Sequence, residues 1–490
     1  MRVLLIDPPG KTKGFNSGLG YLAAVLRDHF PLKVLDLNNI VQGACGDPNP
    51  ELAPDELAKR LVDAAEEFRP DLVGVSVKTY TVGVCQKIFE LIRAASPKVI
   101  TLAGGPHITL DGLRFMSENA IDYGIVGEGE WAVPELLNSL AAGHRGDGVP
   151  GALCLRNDRV VENPPRRAIE NLDGLPFPDF SDFSSVIANE GRLSEYPLLT
   201  SRGCPYECTF CSMPRLMGRR WRGRSPARVV GELKEAKRRY KCTSFAAVDD
   251  NLTLDRKRAE EIFDLIAAEE IDLPWRSQNG IRADHITAEF AAKMKRSGCR
   301  HVWIGIESAD ERVFGLMRKG ESLESIETGI RALKGAGIRV GGFFVTGLPE
   351  SSREADLAAV GFVKKNKIDG WWFNFIPYPH TEAWDWVRAH GRNVLPIEGS
   401  LQYGSDAIEP AFETEDYSRE ARLRTYREIH VRLGLFDRLA DPSWGAREKW
   451  KRLYMIVRPF GIRAVASFWL FRLRRLVEQP ARLVLTWKKG

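Results

Sequence analysis

Three cysteines fall within eight residues in Gly203-Cys204-Pro205-Tyr206-Glu207-Cys208-Thr209-Phe210-Cys211. Thiolates are soft ligands, and at this spacing they suit zinc or an iron–sulfur cluster. A structural zinc site needs a fourth Cys or His nearby. The next cysteine is Cys242, inside a strand pattern. Three thiolates on a four-iron cluster would instead leave one iron open to a substrate. The plainer alternative is three unrelated buried cysteines. Cys45, Cys85, Cys154, Cys242 and Cys299 stand alone and read as small buried or surface residues. No cysteine lies beyond Cys299, which argues against a second cluster in the C-terminal part.

The spacing Cys-x3-Cys-x2-Cys, with aromatic Phe210 before its last member, resembles the signature of the radical S-adenosylmethionine superfamily. The resemblance implies that Cys204, Cys208 and Cys211 hold a [4Fe–4S] cluster. Its open iron would take the amino and carboxylate groups of S-adenosylmethionine. An electron from the cluster would then break the sulfonium bond and give a 5′-deoxyadenosyl radical. By the same resemblance Asp249 and Asp250, in Asp249-Asp250-Asn251, grip the methionine amino group. Gly305, Glu307 and Ser308, in Gly305-Ile306-Glu307-Ser308, resemble the family's fifth-strand element, although here they end the fourth predicted barrel strand. Gly347, in Gly347-Leu348-Pro349-Glu350, looks like the turn near the adenine, and Arg282 would pair with the methionine carboxylate. Each has a plainer reading. Asp249 and Asp250 suit a helix cap, and Glu307 a surface charge, although the C-terminal ends of barrel strands face the active site.

A second set of motifs precedes the triplet. Asp7-Pro8-Pro9, Gly18-Leu19-Gly20-Tyr21-Leu22, Gly74-Val75-Ser76, Gly104-Gly105-Pro106-His107 and Gly127-Glu128-Gly129-Glu130 resemble the cobalamin-binding domain of B12-dependent radical S-adenosylmethionine enzymes. Glycines at strand–helix turns let the backbone approach a bulky ligand. The resemblance places Asp7, Ser76, Gly104, Gly105, His107, Gly127 and Glu128 at the cobalamin, with packing as the alternative for His107. Many such domains carry Asp-x-His-x-x-Gly, whose histidine ligates cobalt from below. That motif is absent, so cobalt is expected to lack a histidine ligand.

The two resemblances together cover roughly residues 1–390 and imply methylation of an unactivated carbon. One S-adenosylmethionine remethylates the cobalamin, and a second supplies the radical that activates the substrate. Cobalamin-dependent cyclisation or rearrangement is the runner-up, followed by radical chemistry with no cobalamin bound and by a non-catalytic binding protein. Pro377-Tyr378-Pro379-His380-Thr381 stands where the family often has Pro-Tyr-Pro-Gly-Thr. Tyr378 and His380 are therefore expected to face the substrate, His380 as acid or base or else as an exposed turn residue. The implied partners are a small-molecule or lipid-like substrate and a reductant such as flavodoxin or ferredoxin.

Residues this far apart need a frame. Strand and helix patterns alternate over residues 1–145, which predicts a Rossmann-like, doubly wound parallel sheet. Its strands are expected at Val3–Ile6, Val34–Leu37, Leu72–Val77, Val99–Ala103 and Tyr123–Val126. Residues 146–195 read as a linker. Six further strand–helix units over 196–390 predict a partial (β/α)6, TIM-like barrel. Its strands are expected near Pro197–Thr200, Ser244–Val248, Trp275–Gln278, His301–Gly305, Arg339–Thr346 and Trp371–Ile376. Residues 391–490 read as helical.

Composition bounds what such a chain does. Its 490 residues suggest two or three domains. With 44% hydrophobic and 28% charged residues it is globular, and eight cysteines are too few for a disulfide scaffold. No apolar run reaches the ~18 residues of a membrane span. The opening Met-Arg-Val-Leu-Leu-Ile-Asp-Pro-Pro-Gly is no signal peptide, so a reducing cytoplasm is expected. Residues 441–490 carry +9 of the net +5, leaving −4 for the rest. A mildly acidic body is a poor nucleic-acid binder. The basic tail has apolar stripes at Trp450, Leu453, Tyr454 and Val457 and at Ala466, Trp469, Leu470, Leu473 and Val477. Such a tail suits peripheral contact with the inner face of a membrane or a cap packed on the barrel.

Overall fold

Apolar runs of five residues or fewer in the first 125 residues become parallel strands. A computed structural model describes residues 1–10, 13–40, 52–393 and 409–433. The strands are β1 (Val3–Asp7), β2 (Leu32–Asp36), β3 (Leu72–Ser76), β4 (Ile100–Gly104) and β5 (Tyr123–Ile125). Every residue of β1 and β3 is buried, as strands covered on both faces must be. The covering helices are α1 (Ser17–Leu26), α2 (Pro54–Phe68), α3 (Val82–Ala95), α4 (Pro106–Asn119) and α5 (Gly129–Ala141). Helix α2 shows the local logic. Pro54 opens it, Asp55 and Glu56 sit in its first turn, and Leu57, Leu61 and Ala64 make its buried stripe.

Two further strands, β6 (Ala152–Arg156) and β7 (Arg159–Glu162), add an antiparallel edge, giving the order β2-β1-β3-β4-β5-β6-β7. This hairpin lies in the stretch read as irregular linker. Its signal was Asn157-Asp158, both left-handed at φ 47° and 60°, a tight hairpin turn. Beyond it, Phe180 and Phe183 are fully buried around the short helix α6 (Ser184–Ala188). Gly20 is required there, because a Cβ would lie 2.5 Å from the Phe180 ring. Arg27 of α1 pairs with Asp179 at 2.5 Å and Asp182 at 3.0 Å. This segment therefore ties the first sheet to the second half of the chain.

All six expected barrel strands form one parallel sheet. They are β8 (Glu195–Leu198), β11 (Ser244–Ala247), β12 (Trp275–Ser277), β13 (Cys299–Glu307), β14 (Arg339–Thr346) and β15 (Asp369–Asn374), neighbours in chain order. Between β8 and β11 lie a small antiparallel pair, β9 (Ser201–Arg202) and β10 (Arg222–Gly223), with α7 (Met213–Leu216), and then α8 (Pro226–Tyr240). The later helices are α9 (Arg256–Ala268), α10 (Ala288–Arg296), α11 (Glu311–Leu316), α12 (Leu323–Gly335), α13 (Arg353–Asn366) and α14 (Glu382–His390). Ser225, Asp255 and Thr381 cap α8, α9 and α14 through their side-chain oxygens.

The C-terminal part holds an antiparallel pair, β16 (Gly391–Asn393) and β17 (Phe412–Thr414), before helix α15 (Arg419–Arg432). The basic tail and its apolar stripes lie outside the described residues. No helix among those described is long and apolar enough to cross a membrane.

Candidate cofactor and active site

The cysteine loop leaves the carboxyl end of β8 through β9 and is braced along its length. Gly203 sits at φ 85°, where a Cβ would lie 2.5 Å from the Arg220 carbonyl, so only glycine passes here. The Cys204 amide donates to the Gly218 carbonyl at 3.3 Å and the Thr209 amide to Met317 at 3.1 Å. The Thr209 carbonyl accepts from the Ala383 amide at 3.0 Å. Asn251 brings its amide nitrogen to 3.9 Å from the Cys204 sulfur. Burial raises the Cys208 thiol and pushes that of Cys211 up to about 12. Among the described residues, no three Cys, His, Asp or Glu side chains gather closely enough to share one metal ion. A cluster makes a different demand, because each cysteine holds its own iron. Three free, half-buried thiols on one braced loop fit a cluster.

The acid pair after β11 divides its work. Asp249 is 2% exposed and accepts from the Thr200 hydroxyl at 2.7 Å, the Ser201 hydroxyl at 2.6 Å and the Thr200 amide at 3.1 Å. Its carboxylate, chiefly Oδ1, ties down the strand that feeds the cysteine loop. Asp250 is only partly buried. Burial, then the Asp249 charge, lifts its carboxyl to about 7.

Beyond β13 the chain turns through Glu307 at φ 64°, a left-handed conformation costly for a residue with a Cβ. The register between Gly305 and Glu307 shifts there, and a Cβ on Gly305 would lie 2.6 Å from Glu307 Oε1. Burial raises the Glu307 carboxyl, against the pull of Lys319, whose ammonium lies 3.4 Å away. Lys319 also bonds the Gly305 carbonyl and stands 3.3 Å from Glu321. Ser308 is buried and accepts from the Asp310 amide at 3.2 Å. Sequence reasoning missed Lys319 and Glu321, because Arg318-Lys319-Gly320-Glu321 has the composition of a solvated turn.

Arg282, expected at the methionine carboxylate, is engaged within the chain. Its guanidinium bonds Asp284 at 2.8 Å and the carbonyls of Lys319 and Gly320, and lies 3.7 Å over the Tyr206 ring of the cysteine loop. It braces that loop, with Asp284 and two backbone carbonyls as its partners. Gly347, at φ 72°, donates its amide to Asp356 at 3.0 Å, and its carbonyl accepts from Arg422 of α15 at 2.9 Å. His380 is exposed at φ 64°, and its carbonyl accepts from Arg215 at 2.8 Å. It is a turn residue whose backbone ties the chain after β15 to α7, the alternative that the sequence offered beside an acid or base role. Tyr378 is half-buried, and its carbonyl accepts from the Thr381 hydroxyl at 2.8 Å. Phe210 packs partly buried against the main apolar core.

Alternate residues of β13–β15 carry a further feature. Ile304, Ile306, Phe344 and Trp372 belong to the buried core, while Trp303, Phe343, Trp371 and Phe373 on the other face are half-buried and outside it. The Trp303 and Phe343 rings stack at 4.7 Å, and Trp371 meets Trp303 edge-on at 6.0 Å. Gly341 leaves space for the Trp303 ring, which a Cβ there would enter.

In the first sheet, the strand order reverses direction between β1 and β3, the crevice where open parallel sheets bind ligands at their carboxyl ends. Asp7 and Ser76 end these strands and share Asn16, whose amide donates to them at 2.8 and 3.0 Å. Asp7 Oδ2 is buried with no hydrogen-bond partner. Gly104 and Gly127 face open space where a Cβ would stand, and Gly105 at φ 96° lies against the Val77 carbonyl. An orphaned acceptor beside a backbone cradle fits cobalamin. His107, in the first turn of α4 after β4, is packed into the interior. It is 1% exposed, edge-on to Phe115 at 5.5 Å, and burial lowers its imidazole to about 4. These contacts favour the packing alternative, although its Nδ1 is buried with no hydrogen-bond partner among the described residues.

Glu128, expected at the cobalamin, is held by the second half of the chain. Its carboxylate accepts from Arg202 at 2.9 Å, from Arg222 at 2.9 Å and from the Ile169 amide at 2.6 Å. Arg202 also bonds Glu130 at 2.5 Å. Burial alone would raise the Glu128 carboxyl, but the two arginines hold it below the usual range.

The comparisons agree with both halves. Residues 198–360 match the radical SAM superfamily and residues 10–137 the B12 binding domain. An uncharacterised methyltransferase of Pyrococcus horikoshii is 30% identical over 441 residues, 88% of this chain and 92% of its own length. Cytidylyl-2-hydroxyethylphosphonate methyltransferase of Streptomyces wedmorensis is 28% identical over 372 residues, 68% of each chain. The radical S-adenosylmethionine methyltransferase TsrM of Kitasatospora setae, solved with tryptophan and a SAM analogue, superposes with a TM-score of 0.66 at 19% identity, covering 83% of this chain and 80% of that one. The chain belongs to the cobalamin-dependent radical S-adenosylmethionine methyltransferases, whose cofactors are a [4Fe–4S] cluster, S-adenosylmethionine and cobalamin.

Proposed function

We propose that this enzyme methylates an unactivated carbon on a small molecule with an apolar skeleton. The observation that carries the reading is the meeting of two carboxyl edges. The loop after β5 of the first sheet is ion-paired to the strand that leaves β8 of the second. A substrate between them would reach both cofactor sites. When bound, the cofactors supply a carbon radical and a methyl group. The residues of the chain hold, orient and shield. Cys204, Cys208 and Cys211 hold the cluster. Asp250 is placed for the methionine ammonium, and the Gly305–Ser308 and Gly347 turns border the nucleoside. Trp303, Phe343, Trp371 and Phe373 offer flat apolar surface to the substrate and keep water from a radical. Electrons come from an external donor such as flavodoxin or ferredoxin.

The test is anaerobic enzyme carrying both metal cofactors, given a reductant, S-adenosylmethionine and a panel of apolar small molecules. Mass spectrometry should find 5′-deoxyadenosine and a product heavier by one methylene. 5′-Deoxyadenosine formed with a cyclised or rearranged product of unchanged carbon count would replace methylation with the cyclase reading.

A further inference from the structure

We infer that Glu128 is a positioning residue that fixes the separation between the cobalamin and the cluster. The inference rests on the reading that the first sheet binds cobalamin and the cysteine triplet binds the cluster. Glu128 lies between Gly127, which faces open space at the cobalamin crevice, and Gly129, which begins α5. Its side chain meets the small β9–β10 pair that flanks the cysteine loop.

Two arginines meet it there, and their places in the chain matter. Arg202 lies two residues ahead of Cys204, and Arg222 lies beyond the far end of the same loop. Arg222 also donates to the Met217 carbonyl at 3.0 Å and the Ile169 carbonyl at 2.6 Å. One carboxylate from the cobalamin domain thus holds both legs of the loop that carries all three cysteines. The side chains of Glu128, Arg202 and Arg222 are 6%, 5% and 3% exposed.

Stability alone does not call for this arrangement. Buried ion pairs are often no better than apolar residues of the same volume, because desolvation offsets their attraction. Charge-assisted arginine–carboxylate hydrogen bonds supply direction instead: Arg202 divides its two terminal nitrogens between Glu128 and Glu130, and one Arg222 nitrogen spans both Glu128 oxygens. They hold two bodies in one register, which methyl transfer between two cofactor sites requires.

The experiment uses the full chain, anaerobically loaded with cluster and cobalamin, as wild type, Glu128→Gln and Glu128→Asp. Iron and cobalamin per chain are counted first. The spin–spin interaction between cob(II)alamin and the reduced cluster is then read by electron paramagnetic resonance, beside the melting temperature. Wild type should give one narrow separation. Glu128→Gln should bind both cofactors, leave each one's own spectrum unchanged and broaden the separation at least twofold. Glu128→Asp, one methylene shorter, should stay narrow but shift. A loaded Glu128→Gln protein with the wild-type distribution overturns the inference. If that variant does not fold, an unshifted separation in Glu128→Asp overturns it equally. A wild type that binds cluster but no cobalamin removes the underlying reading, and the cofactor count identifies that outcome separately.

Discussion

Asp249 accepts the Ser201 hydroxyl at 2.6 Å, three residues ahead of the first cysteine. Neighbouring Asp250 takes only the Gly203 backbone amide, a bond that an asparagine can keep. The two acids should therefore fail differently. Asp249→Ala strands the Thr200 amide and two hydroxyls, and should cost about 3 kcal/mol of stability with partial loss of the cluster. Asp250→Asn should melt like wild type and keep its iron, but bind S-adenosylmethionine at least tenfold more weakly by calorimetry. If both variants lose affinity alike with intact clusters, the division of labour is wrong.

Replacing Cys204, Cys208 and Cys211 together with alanine should abolish the visible absorption of the reconstituted cluster and all 5′-deoxyadenosine formation. The isolated Cys242 and Cys299, both buried, should tolerate alanine with their iron content unchanged. Four-iron absorption surviving in the triple variant would reassign the ligands.

His107 gives a pH prediction. Its imidazole is lowered by burial from 6.5 to about 4. The unfolded chain therefore takes up this proton first as pH falls. The stability His107 contributes is complete above pH 6.5 and lost progressively toward pH 4, by at most about 3 kcal/mol. His107→Leu should flatten this part of the acid limb in denaturant titrations from pH 7 to 4. The same variant should still bind cobalamin, and cob(II)alamin in the wild type should show no axial nitrogen splitting. Splitting that disappears in His107→Leu would place the imidazole on cobalt.

Gly347→Ala should cost roughly 1–3 kcal/mol for the left-handed backbone alone. A further cost comes from displacing Arg422, whose guanidinium occupies the position of the added methyl. A melting temperature equal to wild type would show that the turn has another conformation open to it.

The strands were legible because parallel sheets buried on both faces leave uninterrupted apolar runs such as Val3–Ile6. The cysteine triplet was legible because its ligands are contiguous. Roles that depend on distant partners were not. Nothing near Glu128 in sequence announces Arg202 and Arg222, and nothing near Asp249 announces Thr200. Both acids sit in family-like motifs, and in both the partner, set by the fold, decides what the carboxylate does. His107 and His380 show the converse, one lodged in the core and the other out in solvent.

The cysteine loop is braced from behind by Glu128 and from ahead by the Arg215–His380 and Thr209–Ala383 bonds. During synthesis the Glu128–Arg202 half of its first brace can form before the cysteines are made, the Arg222 half only after them, and its last brace only after residue 383 has emerged. At translation rates of ~5–20 residues per second, that gap lasts roughly 10–35 seconds. For that interval three closely spaced thiols are held on one side only, open to oxidation or stray metals. Synthesis that outruns cluster supply should therefore raise the share of chains with oxidised triplets, which a thiol count on slowly and rapidly expressed protein would measure.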